Sequence, residues 1–261
     1  MTLLEAIILG IVQGLTEFLP VSSSGHLALG HIFFGLEEEG LLFSIVIHVG
    51  TLIPVLIVFW RDIWALVKRP FQKMTFMLLI ATGPAAVVGI FLEDRVEQAF
   101  MSLQALAIGF LITGTVLIFT DRFLKNSKKA GEIAYLDAVI VGLAQAVAIF
   151  PGISRSGSTI AASLSRGIVR EDAAKFAFLM SIPVILGATL LQIIHVARGS
   201  IILEDINFVN LGAGFVAAAL SGYLAVNFML AAVKKAKLRY FAYYVLTLAA
   251  VITVGIFVFN W

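Results

Sequence analysis

The sequence has no cysteine, and only 13% of its 261 residues are charged, where about 25% is usual in soluble domains. Without cysteine there are no disulfides, thiolate nucleophiles or Cys-ligated metals. Scarce charge together with 61% hydrophobic residues and a mean hydropathy of +1.04 excludes a soluble enzyme and a nucleic-acid binder. The formal net charge of +2 is too small to argue for a polyanionic partner. No Lys or Arg precedes Arg61, so the basic region of a cleaved signal peptide is missing. HExxH, Walker A and GxGxxG patterns are absent as well.

What is present is apolar sequence in membrane-length runs. Six stretches, at 43–60, 75–92, 103–120, 176–194, 208–231 and 240–259, are each long enough to cross a hydrocarbon core of about 30 Å. Two further segments have polar breaks. The first, 3–35, is interrupted by Pro20-Val21-Ser22-Ser23-Ser24-Gly25-His26, and the second, 136–165, by Pro151-Gly152-Ile153-Ser154-Arg155-Ser156-Gly157-Ser158-Thr159. Half-helices joined by Pro, Gly and Ser cannot cross twice, so each segment is expected to enter and leave by one face as a re-entrant hairpin.

Charge placement orients this layout. Arg61, Lys68, Arg69, Lys73, Arg122, Lys125, Lys128, Lys129, Arg166, Arg170, Lys175, Lys234, Lys235, Lys237 and Arg239 fall on one side, which the positive-inside rule makes cytoplasmic. The other side receives Glu37-Glu38-Glu39, a loop from Glu93 to Glu97, and a loop from Arg198 to Asp205. Arg155 alone lies inside an apolar segment.

A hairpin and three spans make up each half, and three is odd, so the halves are inverted. Repeat 1 is 1–130 and repeat 2 is 131–261, within one membrane domain of 1–261. Self-similarity supports the division. At a constant offset of 132, Gly10, Gln13, Phe18, Ser22, Ser24 and Gly25 meet Gly142, Gln145, Phe150, Ser154, Ser156 and Gly157. The expected fold is therefore an all-α polytopic membrane protein with six transmembrane helices and two re-entrant hairpins in an inverted repeat, its site where the breaks converge.

Gln13 and Glu17 are four apart and share a helix face toward the first break. A carboxylate at membrane depth costs about 2.5–3.5 kcal/mol and marks function unless it merely neutralises Arg155. In the second break, hydroxyls, a helix N-terminus and a guanidinium describe an oxyanion receptor, most naturally for phosphate; plain N-capping is the rival reading. His26 lies three residues after Ser23, which makes a Ser–His pair available. His48 is a candidate for lining the cavity, and His31 and His195 are expected to be interfacial or structural residues.

Gln13-x-x-x-Glu17 with Pro20 to His26, and Pro151 to Thr159, closely resemble the undecaprenyl-diphosphate phosphatases, also called bacitracin-resistance proteins, over essentially the whole chain. The resemblance implies hydrolysis of a polyprenyl diphosphate to the monophosphate and orthophosphate, recycling of the lipid carrier for cell-wall synthesis, and bacitracin resistance. It implies a divalent cation, Mg²⁺ or Ca²⁺, and a multi-pass protein of the cell membrane whose active site faces outside. The lipid diphosphate and the bilayer are its partners, nucleic acid is not, and a homodimer is left open.

By the same resemblance Glu17, with Gln13, lies near the metal or the reacting water. Ser23 or His26 is nucleophile or base, and Arg155 holds the diphosphate with Ser154, Ser156 and Thr159; Ser22 and Ser24 join the binding groups. Gln13 stands where the pattern also allows Glu, which removes a carboxylate. His48 stands where a neutral amide is expected. The competing class is a transporter or flippase of an anionic polyprenyl lipid, since inverted repeats with paired hairpins are transporter architecture.

Overall fold

The computed structural model describes residues 1–35, 40–120, 127–198, 207–235 and 238–259. Among these the chain is helical throughout, apart from one short 3-10 turn and one isolated bridge between Lys128 and Ile168. The helices are α1 (Leu3–Phe18), α2 (Ser23–Phe34), α3 (Gly40–Val58), α4 (Trp60–Lys68), α5 (Lys73–Phe91), α6 (Glu93–Phe100), α7 (Leu103–Thr120), α8 (Tyr135–Val147), α9 (Arg155–Ser165), α10 (Arg170–Ala197), α11 (Phe208–Lys234) and α12 (Leu238–Phe259).

Both interrupted segments break where their chemistry requires it. Thr2 opens α1 with a capping box, its hydroxyl accepting from the Glu5 N–H at 3.3 Å while its own N–H donates to the Glu5 carboxylate at 2.7 Å. Pro20 disfavours helical backbone at Leu19, which is extended at φ −72°, ψ 146°, so α1 stops at Phe18. In the second break Gly152 takes φ +81°, and a side-chain carbon there would lie 2.6 Å from the Leu106 carbonyl oxygen.

The expected span at 43–60 falls on α3, which is followed by a sharp bend. Helices α5, α7, α10, α11 and α12 are each long and apolar enough to cross a membrane, whereas α3 ends at Val58 and α4 leaves it at 87°. Trp60, Ile63, Trp64 and Val67 fall on one side of α4 and Arg61, Asp62 and Lys68 on another, the pattern of an interfacial amphipathic helix. The two tryptophans stack at 5.5 Å, and the Lys68 ammonium lies 5.3 Å from the Trp64 ring. The connection 61–73 and the loop from Glu93 to Glu97 are thus largely helix, because charges recurring within apolar sequence read as a loop by hydropathy but as one polar face in a helix.

Polar contacts gather the cations at one end of the bundle. Lys175 pairs with Asp62 at 2.6 Å, Lys234 with Glu171 at 3.0 Å, and the Lys73 ammonium donates to the Gly131 carbonyl at 3.2 Å. At the other end His195 meets Glu93 at 3.6 Å and Asn210 donates to the Met1 carbonyl at 2.7 Å. Glu37 to Glu39, Arg122, Lys125, Lys237 and most of the loop from Arg198 to Asp205 lie outside the described residues.

Asp137 sits at the cation-rich end, fully buried in the first turn of α8. Its carboxylate takes Lys128 at 2.7 Å, Arg166 at 2.8 Å and the Ala134 N–H at 2.9 Å. Arg166 closes α9, so this cluster ties the start of α8 to the end of α9. Removing one partner of a fully buried ion pair costs about 3–5 kcal/mol. Lys128 and Arg166 both reach water, so Asp137→Asn is expected to cost about 2–3 kcal/mol, below that range. A lower unfolding midpoint in detergent with unchanged helix content at low temperature checks it.

Packing crosses between the halves: α1 lies on α11 while α8 lies on α5, and α3 and α10 meet each other. Close approach underlies the α1–α11 and α8–α5 contacts. A Cβ at Gly10 would lie 2.4 Å from the Gly214 carbonyl oxygen of α11, and one at Gly142 2.7 Å from the Ala81 carbonyl oxygen of α5. These two glycines are partners under the 132-residue offset.

Candidate active site

The two breaks meet. Gly25 and Gly152 approach so closely that a side-chain carbon on Gly25 would lie 3.0 Å from the Gly152 backbone, and the Ser156 hydroxyl donates across to the Leu19 carbonyl at 2.9 Å. The last turn of α1 and the first turns of α2 and α9 therefore converge on one point.

Glu17 is at that point, 6% exposed. Its Oε1 is paired with the Arg155 guanidinium. Its Oε2 accepts from the Ser23 hydroxyl at 2.5 Å and from the Gln13 amide at 3.1 Å, and faces His48 Nε2 at 4.0 Å. One carboxylate thus joins groups from α1, α2, α3 and α9. The pairing that would have made Glu17 a mere counter-ion to Arg155 is formed, but Ser23, Gln13 and His48 attend the same carboxylate.

Ser23 and His26 do not form a dyad. Ser23 gives its proton to Glu17, while His26 Nδ1 lies 2.7 Å from the Ser22 carbonyl and Nε2 lies 2.7 Å from the Tyr244 hydroxyl. A carbonyl only accepts, so His26 carries its proton on Nδ1 and Nε2 accepts from Tyr244. The His26 ring stacks on Tyr244 and meets the edge of Phe110. Tyr244 escaped the sequence reading because it lies in α12, far along the chain and within a uniformly apolar span.

Most of the remaining expected ligands serve the scaffold. Ser22 and Ser154 are the N-caps of α2 and α9, accepting from Gly25 and Gly157 N–H at 3.3 and 3.1 Å. Ser22 holds a positive φ of 68°, strained backbone for a residue with a side chain. Each cap hydroxyl lies 3.2 Å from the serine two residues on, Ser24 in one break and Ser156 in the other, so the repeat extends to the hydrogen-bond pattern. Thr159 is fully buried and bonds back to the Arg155 carbonyl at 2.9 Å. Ser23, Ser24, Arg155 and Ser158 keep partial exposure around the junction.

A cation would find few anionic ligands. Among the described residues no cluster of three His, Asp or Glu side chains is suited to a metal. Glu17 is the carboxylate of the junction, and Gln13 contributes a buried amide oxygen, Oε1, with no hydrogen-bond partner. One carboxylate plus neutral oxygens fits Mg²⁺, which is commonly held by one or two carboxylates and the substrate's own phosphates.

All-helical architecture, several apolar membrane-length helices, and a buried junction pairing a carboxylate with a guanidinium and a serine define a multi-pass membrane protein with a polar site at its helix breaks. The chain belongs to the family described as "Bacitracin resistance protein BacA", which matches residues 6–251. It is 47% identical over 250 residues to the "Undecaprenyl-diphosphatase" of Carboxydothermus hydrogenoformans, covering 96% of each chain. It is likewise 47% identical over 247 residues to "Undecaprenyl-diphosphatase 4" of Bacillus thuringiensis subsp. konkukian, covering 94% of each. The "Undecaprenyl-diphosphatase" of Halothermothrix orenii is 41% identical over 261 residues, which is 98% of this chain and 100% of that one.

Proposed function

We propose that this chain dephosphorylates undecaprenyl diphosphate to the monophosphate and orthophosphate, returning the carrier lipid to cell-wall synthesis and conferring bacitracin resistance. The observation that carries the reading is the Glu17 junction, where a serine hydroxyl rests on a carboxylate beside a guanidinium. Phosphoryl transfer needs an activated nucleophile and positive charge on the transferring group, and the junction supplies both.

In the mechanism this favours, Arg155 leaves Glu17 for the incoming diphosphate, its planar fork matching phosphate oxygens. Ser23 Oγ attacks the terminal phosphorus while Glu17 Oε2 takes its proton. The bond from that phosphorus to the bridging oxygen breaks, and undecaprenyl monophosphate leaves. Its phosphate has a second pKa of about 6, so it departs without needing a proton. Water then attacks the phosphoserine phosphorus, Glu17 returns its proton to the departing Ser23 Oγ, and orthophosphate leaves carrying the water's proton, which restores Ser23. Glu17 and Gln13 would be the residues to hold a divalent cation, which would supply further positive charge toward the diphosphate.

The same reading sets the frame. The pairs α1–α2 and α8–α9 are re-entrant hairpins, α3, α5, α7, α10, α11 and α12 span, and the two halves are inverted repeats. The protein lies in the cell membrane with the junction open to the outside. The end that gathers Lys73, Lys128, Arg166, Lys175 and Lys234 is cytoplasmic by the positive-inside rule. With no native cysteine to remove, Glu97→Cys should label from outside intact cells and Lys129→Cys only after permeabilisation. Equal labelling of both contradicts the orientation.

Function is tested by incubating the purified protein with undecaprenyl diphosphate and Mg²⁺ in detergent. Equimolar orthophosphate and monophosphate are expected. Movement of the lipid across vesicles without phosphate release would instead make it a transporter.

A further inference from the structure

The reaction above uses Glu17, Ser23 and Arg155 and leaves His26 and Tyr244 without a task. These two form a chain of contacts that ends on the backbone beside the nucleophile. The Tyr244 hydroxyl donates to His26 Nε2 at 2.7 Å, and His26 Nδ1 donates to the Ser22 carbonyl at 2.7 Å. Which nitrogen of a neutral imidazole carries the proton follows from the hydrogen bond that the other one makes. A donor at Nε2 therefore keeps the proton on Nδ1, where the Ser22 carbonyl receives it. Tyr244 stacks on the ring at 5.6 Å and Phe110 of α7 meets its edge at 5.4 Å, so the plane of the imidazole is held as well.

Among the described residues Ser22 is the one non-glycine residue with positive φ, at φ 68°, ψ 94°. Backbone of this kind is strained and persists only where its surroundings over-determine it. Ser22 directly precedes Ser23, so its dihedrals aim the hydroxyl that lies 2.5 Å from Glu17 Oε2. The repeat supplies an internal comparison. Under the 132-residue offset Ser22 meets Ser154, Ser23 meets Arg155 and His26 meets Ser158. Ser154 caps its helix with ordinary backbone, φ −70°, ψ 118°, and a serine stands where the imidazole would be. Strained cap and imidazole thus occur together, in the break that carries the serine nucleophile.

We propose that Tyr244 is a positioning residue: through His26 it holds the strained Ser22 backbone and so keeps Ser23 Oγ on Glu17 Oε2. The purpose of this hold rests on the diphosphatase reading, while its geometry does not. Tyr244 acts without touching the diphosphate, since a misplacement of about 1 Å at the nucleophile is enough to cost about 10²-fold in rate.

Tyr244→Phe tests this, because it keeps the ring and removes only the hydroxyl. In the purified full-length protein kcat for undecaprenyl diphosphate should fall about 10- to 10²-fold with KM unchanged. His26→Ala should lose a similar amount, and the double variant no more than the larger single loss. Independently of turnover, ¹⁵N NMR of ring-labelled histidine should show His26 protonated on Nδ1, its signals identified by their loss in His26→Ala. Its Nε2 should be hydrogen-bonded in the wild type and move to an unbonded shift in Tyr244→Phe. Unchanged kcat in Tyr244→Phe overturns the proposal, as do a raised KM with kcat held, single losses that multiply in the double variant, and a wild-type His26 protonated on Nε2. Phosphate release by the wild type is measured alongside. Equal release by the wild type and Tyr244→Phe defeats the positioning role and leaves the diphosphatase standing. No release by the wild type, with the Nε2 shift seen in Tyr244→Phe, defeats the diphosphatase and sustains the hold on Ser22.

Discussion

Arg155→Ala is expected to lower kcat/KM for undecaprenyl diphosphate by about 10³-fold or more, the range lost when an arginine is removed from a phosphoryl-transfer site. The expectation follows from where the charge lies. Among the junction's described groups Arg155 is the cation, opposite Glu17 and at the first turn of α9, whose free N–H groups and positive end add to the same field. No other side chain there replaces it. Truncation also strands the buried Glu17 carboxylate, which by itself destabilises. Arg155→Lys separates the two effects: it keeps the charge and the ion pair while losing the planar fork. A folded Arg155→Lys protein with most of the activity lost locates the defect in phosphate recognition, whereas near-normal hydrolysis by it would contradict the clamp.

Glu17→Gln is expected to be comparably severe, about 10²–10⁴-fold in kcat, the usual contribution of a positioned acid or base. The substitution keeps size and hydrogen-bonding capacity but removes the acceptor that takes the Ser23 proton at 2.5 Å. It also frees Arg155 from its partner, so affinity for the diphosphate should hold or rise while turnover falls. That split, read as an unchanged or lower KM with a collapsed kcat, distinguishes a base from a structural carboxylate. If kcat is preserved, Glu17 is a counter-ion only.

The sequence made the junction legible through two signals. Arg155 stood out as the cation inside an apolar segment, and the 132-residue offset aligned the two breaks that the structure brings into contact. What escaped was set by tertiary packing. Asp137 reads as an ordinary acidic residue near a helix start, and nothing local says that it binds both Lys128 and Arg166. Tyr244 is one aromatic among many until α12 is packed beside α2.

The Ser23–His26 spacing was compatible with a dyad, but the positive φ of Ser22 starts α2 so that Ser23 turns to Glu17 and His26 to α12. Ser154, Ser156 and Thr159 carried the look of a phosphate cradle. Their hydroxyls are spent on capping, on the Leu19 carbonyl and on the helix backbone, leaving Arg155, the start of α9 and the part-exposed Ser24 and Ser158 as the groups open to a ligand. The bend into α4 was hidden because hydropathy averages over direction, and an 87° turn changes no composition.

The central claim is that Ser23, activated by Glu17, attacks the terminal phosphorus. Rapid acid quenching of the purified protein with undecaprenyl diphosphate labelled in its terminal phosphate, followed by peptide mapping, tests it most directly. The account predicts transient label on the peptide containing Ser23, absent from Ser23→Ala and from Glu17→Gln. Full hydrolysis by Ser23→Ala, with no labelled peptide in the wild type, would contradict it.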